Sequence, residues 1–109
     1  MKQINSINEI NEIINTGEPV LIYFSGENCS VCEALKPKVQ KSIENEFSNF
    51  EICEIKASSH KELASHFTVF SIPTIIVFFD KKEFVRYGRN MSVSLLLEKI
   101  RRPYKLFYE

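Results

Sequence analysis

The sequence predicts an α/β fold, in which a central sheet is flanked by helices on both faces. Apolar runs of strand length and β-rich composition recur along the 109-residue chain, and segments with apolar residues at helical spacing separate most of them. Strands that alternate with helices in this way are typical of a mostly parallel sheet buried between helical layers. Since the chain has no internal repeat and no Gly/Ser/Pro-rich linker, we expect a single domain over residues 1–109.

A short strand and a helix are predicted near the N-terminus. Residues 2–4 suit a strand, and Ser6 followed by Glu9 is the pattern of a capping box, which opens a helix. The turn-forming residues 16–19, Thr-Gly-Glu-Pro, end this helix. Its apolar face is predicted to carry Ile7, Ile10, Ile13 and Ile14.

The second strand and helix have the clearest pattern in the chain. Residues 20–25 predict a buried strand, and a long helix is predicted over residues 30–47. Pro37 lies inside this helix and has no N–H to donate to the carbonyl of Glu33, so we expect a kink there. Apolar residues recur along the helix at every fourth position: Val31, Leu35, Val39, Ile43 and Phe47.

The second half of the chain predicts three more strands. They cover residues 50–56, 74–79 and 84–87, and the short segment 80–83 between the last two is predicted to be a hairpin turn. A second capping-box pattern, Ser-His-Lys-Glu from Ser59, predicts a short helix before the fourth strand. Five phenylalanines are expected to pack in the core or at its edge: Phe67, Phe70, Phe78, Phe79 and Phe84.

The last helix is predicted to begin after Ser92 and to end at Pro103, because proline disfavours helical geometry in the residue before it. Residues 101–109 then form a C-terminal extension rich in aromatic side chains. Two interpretations of this extension stay open, since it can fold back over apolar surface or mark a contact for a partner or a second copy.

Composition limits the classes of function. The chain carries fourteen basic and fourteen acidic residues, so no net charge attracts it to nucleic acid or to a membrane surface. We find no signal-peptide pattern, and the longest apolar run, residues 75–79, is far shorter than a membrane span. Three cysteines are an odd number, which argues against a secreted disulfide framework. We therefore expect a cytoplasmic protein.

Two cysteines, Cys29 and Cys32, lie two residues apart at the junction between the second strand and its helix. The free N–H groups and the positive dipole end of a helix N-terminus favour a thiolate over a thiol. This position therefore predicts a redox site. A zinc site is the next alternative, but a single Cys-x-x-Cys supplies only two of the four ligands that zinc needs.

No other residue completes a zinc site in the sequence. Cys53 is expected in the core on the third strand. His60 and His66 are six residues apart, which is not ligand spacing on one helical face, and we expect both to be solvated. We therefore predict no metal.

The predicted element order, β-α-β-α-β-α-β-β-α, resembles the thioredoxin family, and so do four sequence features in their order along the chain. The first is the segment Cys29-Ser30-Val31-Cys32, and the second is Pro37, which stands five residues after the second cysteine. The third is Ile72-Pro73-Thr74, and the fourth is Gly88 after the last strand. The resemblance covers residues 2–100 and implies a thioredoxin fold with a central, mixed, five-stranded sheet.

The resemblance also implies an activity. Cys29 is the nucleophile that attacks a substrate disulfide, and Cys32 resolves the mixed disulfide. The protein is then a protein-disulfide reductase whose Cys29–Cys32 disulfide is redox-active, with no bound cofactor. An NADPH-dependent flavin disulfide reductase is the implied recycling partner, and a monomer is expected. The alternative is a thioredoxin-fold binding module with little turnover.

Substrate contacts follow from the same resemblance. In the family a cis proline lies beside the active site, and the backbone of the residue before it pairs with a substrate peptide. The corresponding residues are Pro73 and Ile72. Ser30 and Val31, between the two cysteines, are the other expected substrate contacts.

The chain departs from the family pattern around the cysteines. Asn28 stands where thioredoxins carry tryptophan. Ser30 and Val31 replace the Gly-Pro pair of the family and Glu33 replaces its lysine, and these two changes leave the redox potential and the physiological direction open. The buried aspartate of the family is replaced by Tyr23, and the lysine that accompanies it by Glu54. We hypothesise that Glu54 and Tyr23 exchange these proton-transfer roles. The simpler interpretation makes Tyr23 a core residue and Glu54 a solvated charge.

Overall fold

The structure, a computed structural model, describes residues 1–108. Its element order is β-α-β-α-β-α-β-β-α, which confirms the predicted order. The elements are β1 (Lys2–Gln3), α1 (Ile7–Asn15), β2 (Val20–Ser25), α2 (Ser30–Glu46), β3 (Glu51–Lys56), α3 (Lys61–His66), β4 (Thr74–Phe79), β5 (Lys82–Tyr87) and α4 (Val93–Phe107).

The five strands form one mixed sheet in the order β1-β3-β2-β4-β5. β1 and β2 both run parallel to β3, whereas β4 runs antiparallel to β2 and to β5. The expectation of a mostly parallel sheet is therefore wrong, because the chain leaves α3 and enters β4 in the direction opposite to β2. The mixed sheet that the resemblance implies is confirmed.

Both faces of the sheet are covered by helices, and the core is split between them. α1 and α3 pack on one face, where Ile10, Ile14 and Leu63 join a cluster with Cys53. α2 and α4 pack on the other face. Every residue of β2 is buried, as expected for the central strand of a sheet with two covered faces. Each fully buried aliphatic or aromatic side chain contributes about 1.5–3 kcal/mol.

Of the two capping boxes predicted from the sequence, the structure contains the one at Ser6 and not the one at Ser59. Ser6 caps α1 by accepting a hydrogen bond from the N–H of Glu9 at 3.1 Å, and Glu9 reaches back to the N–H of Asn5. The capping box predicted at Ser59 is wrong. α3 begins one residue later than that pattern requires, with His60 at the N-cap and no side-chain hydrogen bond.

The turn between β4 and β5 is shorter than predicted. Asp80 and Lys81 alone form it, both with positive φ (51° and 70°), as in the two-residue turns that suit the twist of a hairpin. β5 therefore begins at Lys82 and not at residue 84. Asp adopts this left-handed backbone conformation more readily than most residues do.

α4 continues through Pro103, so the prediction that proline ends it is wrong. Pro103 leaves the carbonyl of Lys99 without its helical donor. The ring of the next residue, Tyr104, packs against Phe47 at 4.8 Å and Phe50 at 6.0 Å between ring centroids, which holds the end of α4 against the core. The extension thus folds back in part, although Leu106 remains 59% exposed. Glu109 lies outside the described residues.

One phenylalanine departs from the expected packing in the core or at its edge. Phe70 is 87% exposed, which contradicts its assignment to the core. Phe84 is also exposed, but its ring packs on the edge of Phe79 at 5.5 Å. Phe67 and Phe78 are buried, as predicted. No helix within residues 1–108 is long and apolar enough to cross a bilayer.

Candidate active site

Cys29 and Cys32 form a disulfide at the start of α2, with their Cα atoms 5.3 Å apart. Cys29 is the N-cap residue, and its Sγ accepts a hydrogen bond from the N–H of Cys32 at 3.2 Å. Cys32 is 1% exposed, whereas Cys29 is partly accessible. The two sulfurs therefore differ in their surroundings, since Cys29 is open to solvent and Cys32 faces the interior.

The backbone around Cys29 favours its thiolate after reduction. The N–H of Cys32, which donates to the sulfur of Cys29, is one of the backbone donors at the N-terminus of α2 that have no partner within the helix. The helix dipole is positive at this end, which also favours a thiolate. Asn28 turns the chain from β2 into this helix with a φ of 54°, a conformation that asparagine tolerates. The departure from the family at Asn28 thus has a structural role.

Ile72 belongs to the same packed region of the fold as the cysteines. The Ile72–Pro73 peptide bond is cis, as the resemblance implies. The side chain of Ile72 packs against the same cluster of residues as Cys29 and Cys32. A Cβ atom at Gly26, in the loop that leads to Cys29, would lie 2.6 Å from Cδ1 of Ile72, so this loop and the side chain of Ile72 approach closely. Ser30 and Val31 are exposed at the same helix start.

Tyr23, on β2, holds the first turn of α2 through a hydrogen bond. It is fully buried, and its hydroxyl donates to the backbone carbonyl of Cys32 at 2.8 Å. Burial raises the pKa of Tyr23 to about 12, with further contributions from the negative charges of Glu54 and Glu33. The phenol therefore stays protonated at neutral pH and serves as a donor to the segment that carries Cys32.

Glu54 is a buried carboxylate, 1% exposed, so its interpretation as a solvated charge is wrong. It accepts hydrogen bonds from Nζ of Lys36 at 2.8 Å, from Oγ of Ser25 at 2.7 Å and from Nε2 of Gln3. Burial opposes its ionisation most strongly, but these three donors outweigh burial and lower the pKa of Glu54. The phenol of Tyr23 is not among its hydrogen-bond partners.

The sequence interpretation missed Lys36, Ser25 and Gln3 as partners of Glu54. The sequence carries a signal for Ser25 and one for Lys36, and none for Gln3. Ser25 lies two residues after Tyr23 on β2 and so shares its face of the sheet. Lys36 lies one helical turn after Cys32 on α2, which covers that face.

Replacement of Tyr23 by phenylalanine is expected to destabilise the oxidised protein by about 1 kcal/mol, because the carbonyl of Cys32 loses a buried donor. Urea unfolding monitored by circular dichroism measures this change. Tyr87→Phe is the matched control: Tyr87 is half-buried on β5 and has no hydroxyl hydrogen bond to residues 1–108. Equal stabilities of the two variants would contradict the role of the Tyr23 hydroxyl.

The other candidate metal ligands, Cys53, His60 and His66, form no site with the cysteine pair. Cys53 is a free thiol buried against α1 and α3, on the face of the sheet opposite Cys32. Burial raises the pKa of Cys53 to about 12, so it is inert as a nucleophile at neutral pH. His66 is exposed, as expected, and His60 is half-buried. Within residues 1–108 no three His, Cys, Asp or Glu side chains are placed to hold a metal ion.

Comparisons with known proteins agree with this geometry. The family model for thioredoxin matches residues 2–102. The chain is 31% identical over 107 residues to the thioredoxin-like protein YdfQ of Bacillus subtilis, covering 98% of this chain and 95% of that protein. It is 40% identical over 83 residues to a thioredoxin of Chlamydia caviae, covering 76% and 79%.

Solved structures show the same fold. Thioredoxin from Fasciola hepatica superposes with a TM-score of 0.81 at 25% identity, covering 94% of this chain and 98% of that one. Oxidised mitochondrial thioredoxin 3 from Saccharomyces cerevisiae gives a TM-score of 0.81 at 18% identity, covering 93% of both chains. The family match spans nearly the whole chain, and its paired cysteines are joined in the structure. This protein therefore belongs to the thioredoxin family and is a thiol–disulfide oxidoreductase.

Proposed function

We propose that the protein reduces disulfides of protein substrates, with Cys29 as nucleophile and Cys32 as resolving thiol. The observation that carries this proposal is the asymmetry of the pair: Cys29 is accessible at the helix N-terminus, and Cys32 is buried behind it. The thiolate of Cys29 attacks one substrate sulfur, the substrate S–S bond breaks, and the other substrate sulfur leaves as a thiolate that takes up a proton.

The second exchange completes the reduction. Cys32 loses its proton and attacks the Cys29 side of the mixed disulfide, which forms the Cys29–Cys32 bond seen here and releases the second substrate thiol. Two electrons pass from the cysteine pair to the substrate. An NADPH-dependent flavin disulfide reductase is the proposed source of electrons for the next cycle.

The surface around Ile72 is the proposed substrate site. The backbone N–H of Ile72 has no acceptor within residues 1–108. It is therefore free to donate to a carbonyl of an extended substrate segment. Val31, 39% exposed between the cysteines, and the neighbouring exposed Ser30 are the other proposed substrate contacts. We propose that substrate cysteines reach Cys29 with their backbone held at Ile72.

Glu54 is proposed to adjust the proton balance at Cys32 from inside the fold. Its carboxylate is paired with Lys36, one turn of α2 beyond Cys32. Since Tyr23 contacts the carbonyl of Cys32 and not Glu54, we propose separate actions: a fixed donor from Tyr23 and a buried negative charge from Glu54. We further propose a cytoplasmic monomer that takes part in cell redox homeostasis and electron transport.

Reduction of insulin by the protein, coupled to NADPH through a flavin disulfide reductase, tests the proposed function. We expect catalytic turnover and a Cys29–Cys32 potential at or below the cytosolic glutathione poise, on the order of −220 to −320 mV. Equilibration with glutathione buffers of known ratio measures this potential. A potential well above this range would indicate an oxidant or isomerase, and absence of turnover would indicate a binding module.

A further inference from the structure

Arg89 places a positive charge at the proposed substrate site. It lies in the loop between β5 and α4, and its side chain reaches Ile72, where a guanidinium N–H donates to the backbone carbonyl at 3.2 Å. The rest of the side chain is exposed. A cation therefore borders the one residue whose backbone is proposed to hold the substrate.

Arg89 differs from the arginines that make ion pairs in this chain. Arg86 holds both carboxylate oxygens of Glu83, and Arg101 holds both of Glu46. No carboxylate within residues 1–108 pairs with Arg89, whose contact is a neutral carbonyl. A guanidinium has five donors in a planar fork that matches a carboxylate, and Arg89 uses one of them.

The local charges favour an acidic substrate residue at this point. Because Arg89 contacts the carbonyl of Ile72, a segment that accepted a hydrogen bond from the N–H of the same residue would lie near the guanidinium. Glu33 is exposed in the first turn of α2, and repulsion between like charges disfavours a second carboxylate close to it. The chain has no net charge, so such a preference arises from local contact and not from long-range attraction.

We propose that Arg89 is a specificity-determining residue, which binds a carboxylate beside the attacked disulfide and so selects protein disulfides flanked by acidic residues. This inference rests on the proposed function, since it requires the substrate backbone to lie at Ile72. The carboxylate takes up donors of Arg89 that are unused in this structure, while the contact with the carbonyl of Ile72 holds the guanidinium in place.

Two synthetic peptides test the proposal. Each contains one disulfide, and they differ only in the residue next to the attacked cysteine, which is Asp in one and Lys in the other. We expect KM to be about three- to tenfold lower for the Asp peptide, with a similar kcat. Arg89→Gln should bring the two KM values close together, and Arg89→Glu should reverse their order. The ratio of the KM of the Lys peptide to that of the Asp peptide should shrink as the salt concentration is raised above about 0.15 M.

Arg102→Gln is the matched control, because Arg102 is an exposed arginine on α4. It should leave the preference of the wild-type protein unchanged. Equal KM values for the two peptides with the wild-type protein would overturn the proposal, as would a preference that survives in Arg89→Gln. If neither peptide is reduced, the proposed function itself fails and the inference fails with it, whereas reduction of both without preference removes the inference alone.

Discussion

Cys29→Ser is expected to lower the rate of disulfide reduction by at least about a thousandfold, to the level of the uncatalysed exchange. Cys32→Ser should also stop turnover, but after one exchange. Cys29 still attacks the substrate, and no thiol at position 32 remains to release it. Since Cys32 is buried at 1% exposure, it has no access to a substrate of its own. The Cys32→Ser variant should therefore accumulate a mixed disulfide with its substrate.

Non-reducing gels and intact-mass spectrometry measure the trapped species. Cys53→Ser, combined with each variant, is the control: Cys53 lies on the opposite face of the sheet, so its loss should change neither the trapping nor the rate. A Cys32→Ser protein that still turns over would show that the two thiols do not have these roles. Loss of the mixed disulfide in the Cys32→Ser/Cys53→Ser double variant would show that the third cysteine takes part.

The second large effect is expected at Glu54. Glu54→Gln should destabilise the protein by about 1–3 kcal/mol near neutral pH, because Lys36 and two neutral donors lose a buried carboxylate. Lys36→Met should cost about 2–4 kcal/mol, since it leaves the charge of Glu54 buried with Ser25 and Gln3 alone.

The pH dependence of these losses has a defined sign. The pKa of Glu54 is lowered in the folded protein from an ordinary value of 4.5. Its contribution to stability is thus fully present above that value and is lost as the pH falls through the lowered folded pKa. The stability difference between wild type and Glu54→Gln should therefore shrink at acid pH. In Lys36→Met the folded pKa rises, so its deficit relative to wild type should be larger at neutral pH than at about pH 4.

Urea unfolding across this pH range measures both differences, with Glu51→Gln as the control, because Glu51 is an exposed glutamate on the same strand. Parallel pH profiles for wild type and Glu54→Gln would contradict a stabilising ionised Glu54.

The Glu54→Gln variant also tests the proposed effect of Glu54 on Cys32. Mixed-disulfide resolution should shift in its pH dependence in Glu54→Gln, and an unchanged profile would remove Glu54 from the chemistry while leaving its structural role.

The element order and the thiol pair could be predicted because they depend on local patterns. Apolar periodicity sets which face of α2 is buried, and the turn at residues 16–19 separates α1 from β2. The position of Cys29 at a helix N-terminus followed from the same local order. Boundaries set by packing could not be predicted in this way. Pro103 is tolerated inside α4 because Tyr104 packs against Phe47, a residue more than fifty positions away in the chain.

The hydrogen-bond partners of Glu54 likewise depend on packing and could not be predicted from local patterns. The resemblance to the family placed Tyr23 and Glu54 near the thiols. The spacing of Lys36 from Cys32 places it on the side of α2 that faces the sheet, but no local pattern indicates that its ammonium group pairs with Glu54. The contact between Arg89 and Ile72 joins the loop after β5 to the start of β4, which are distant in sequence. Such contacts depend on how the elements pack and on side-chain length, so the sequence carries no periodic signal for them.

By itself the sequence determined the alternation of strands and helices, the accessible position of Cys29 and the resemblance to the thioredoxin family. Tertiary structure alone decided that β4 runs antiparallel to β2, that Glu54 is buried and ionised, and that Arg89 borders Ile72. The physical reason is the range of the interactions. Hydrophobic periodicity and helix capping act within a few residues, whereas burial and charge pairing depend on the distances that the folded chain creates between remote segments.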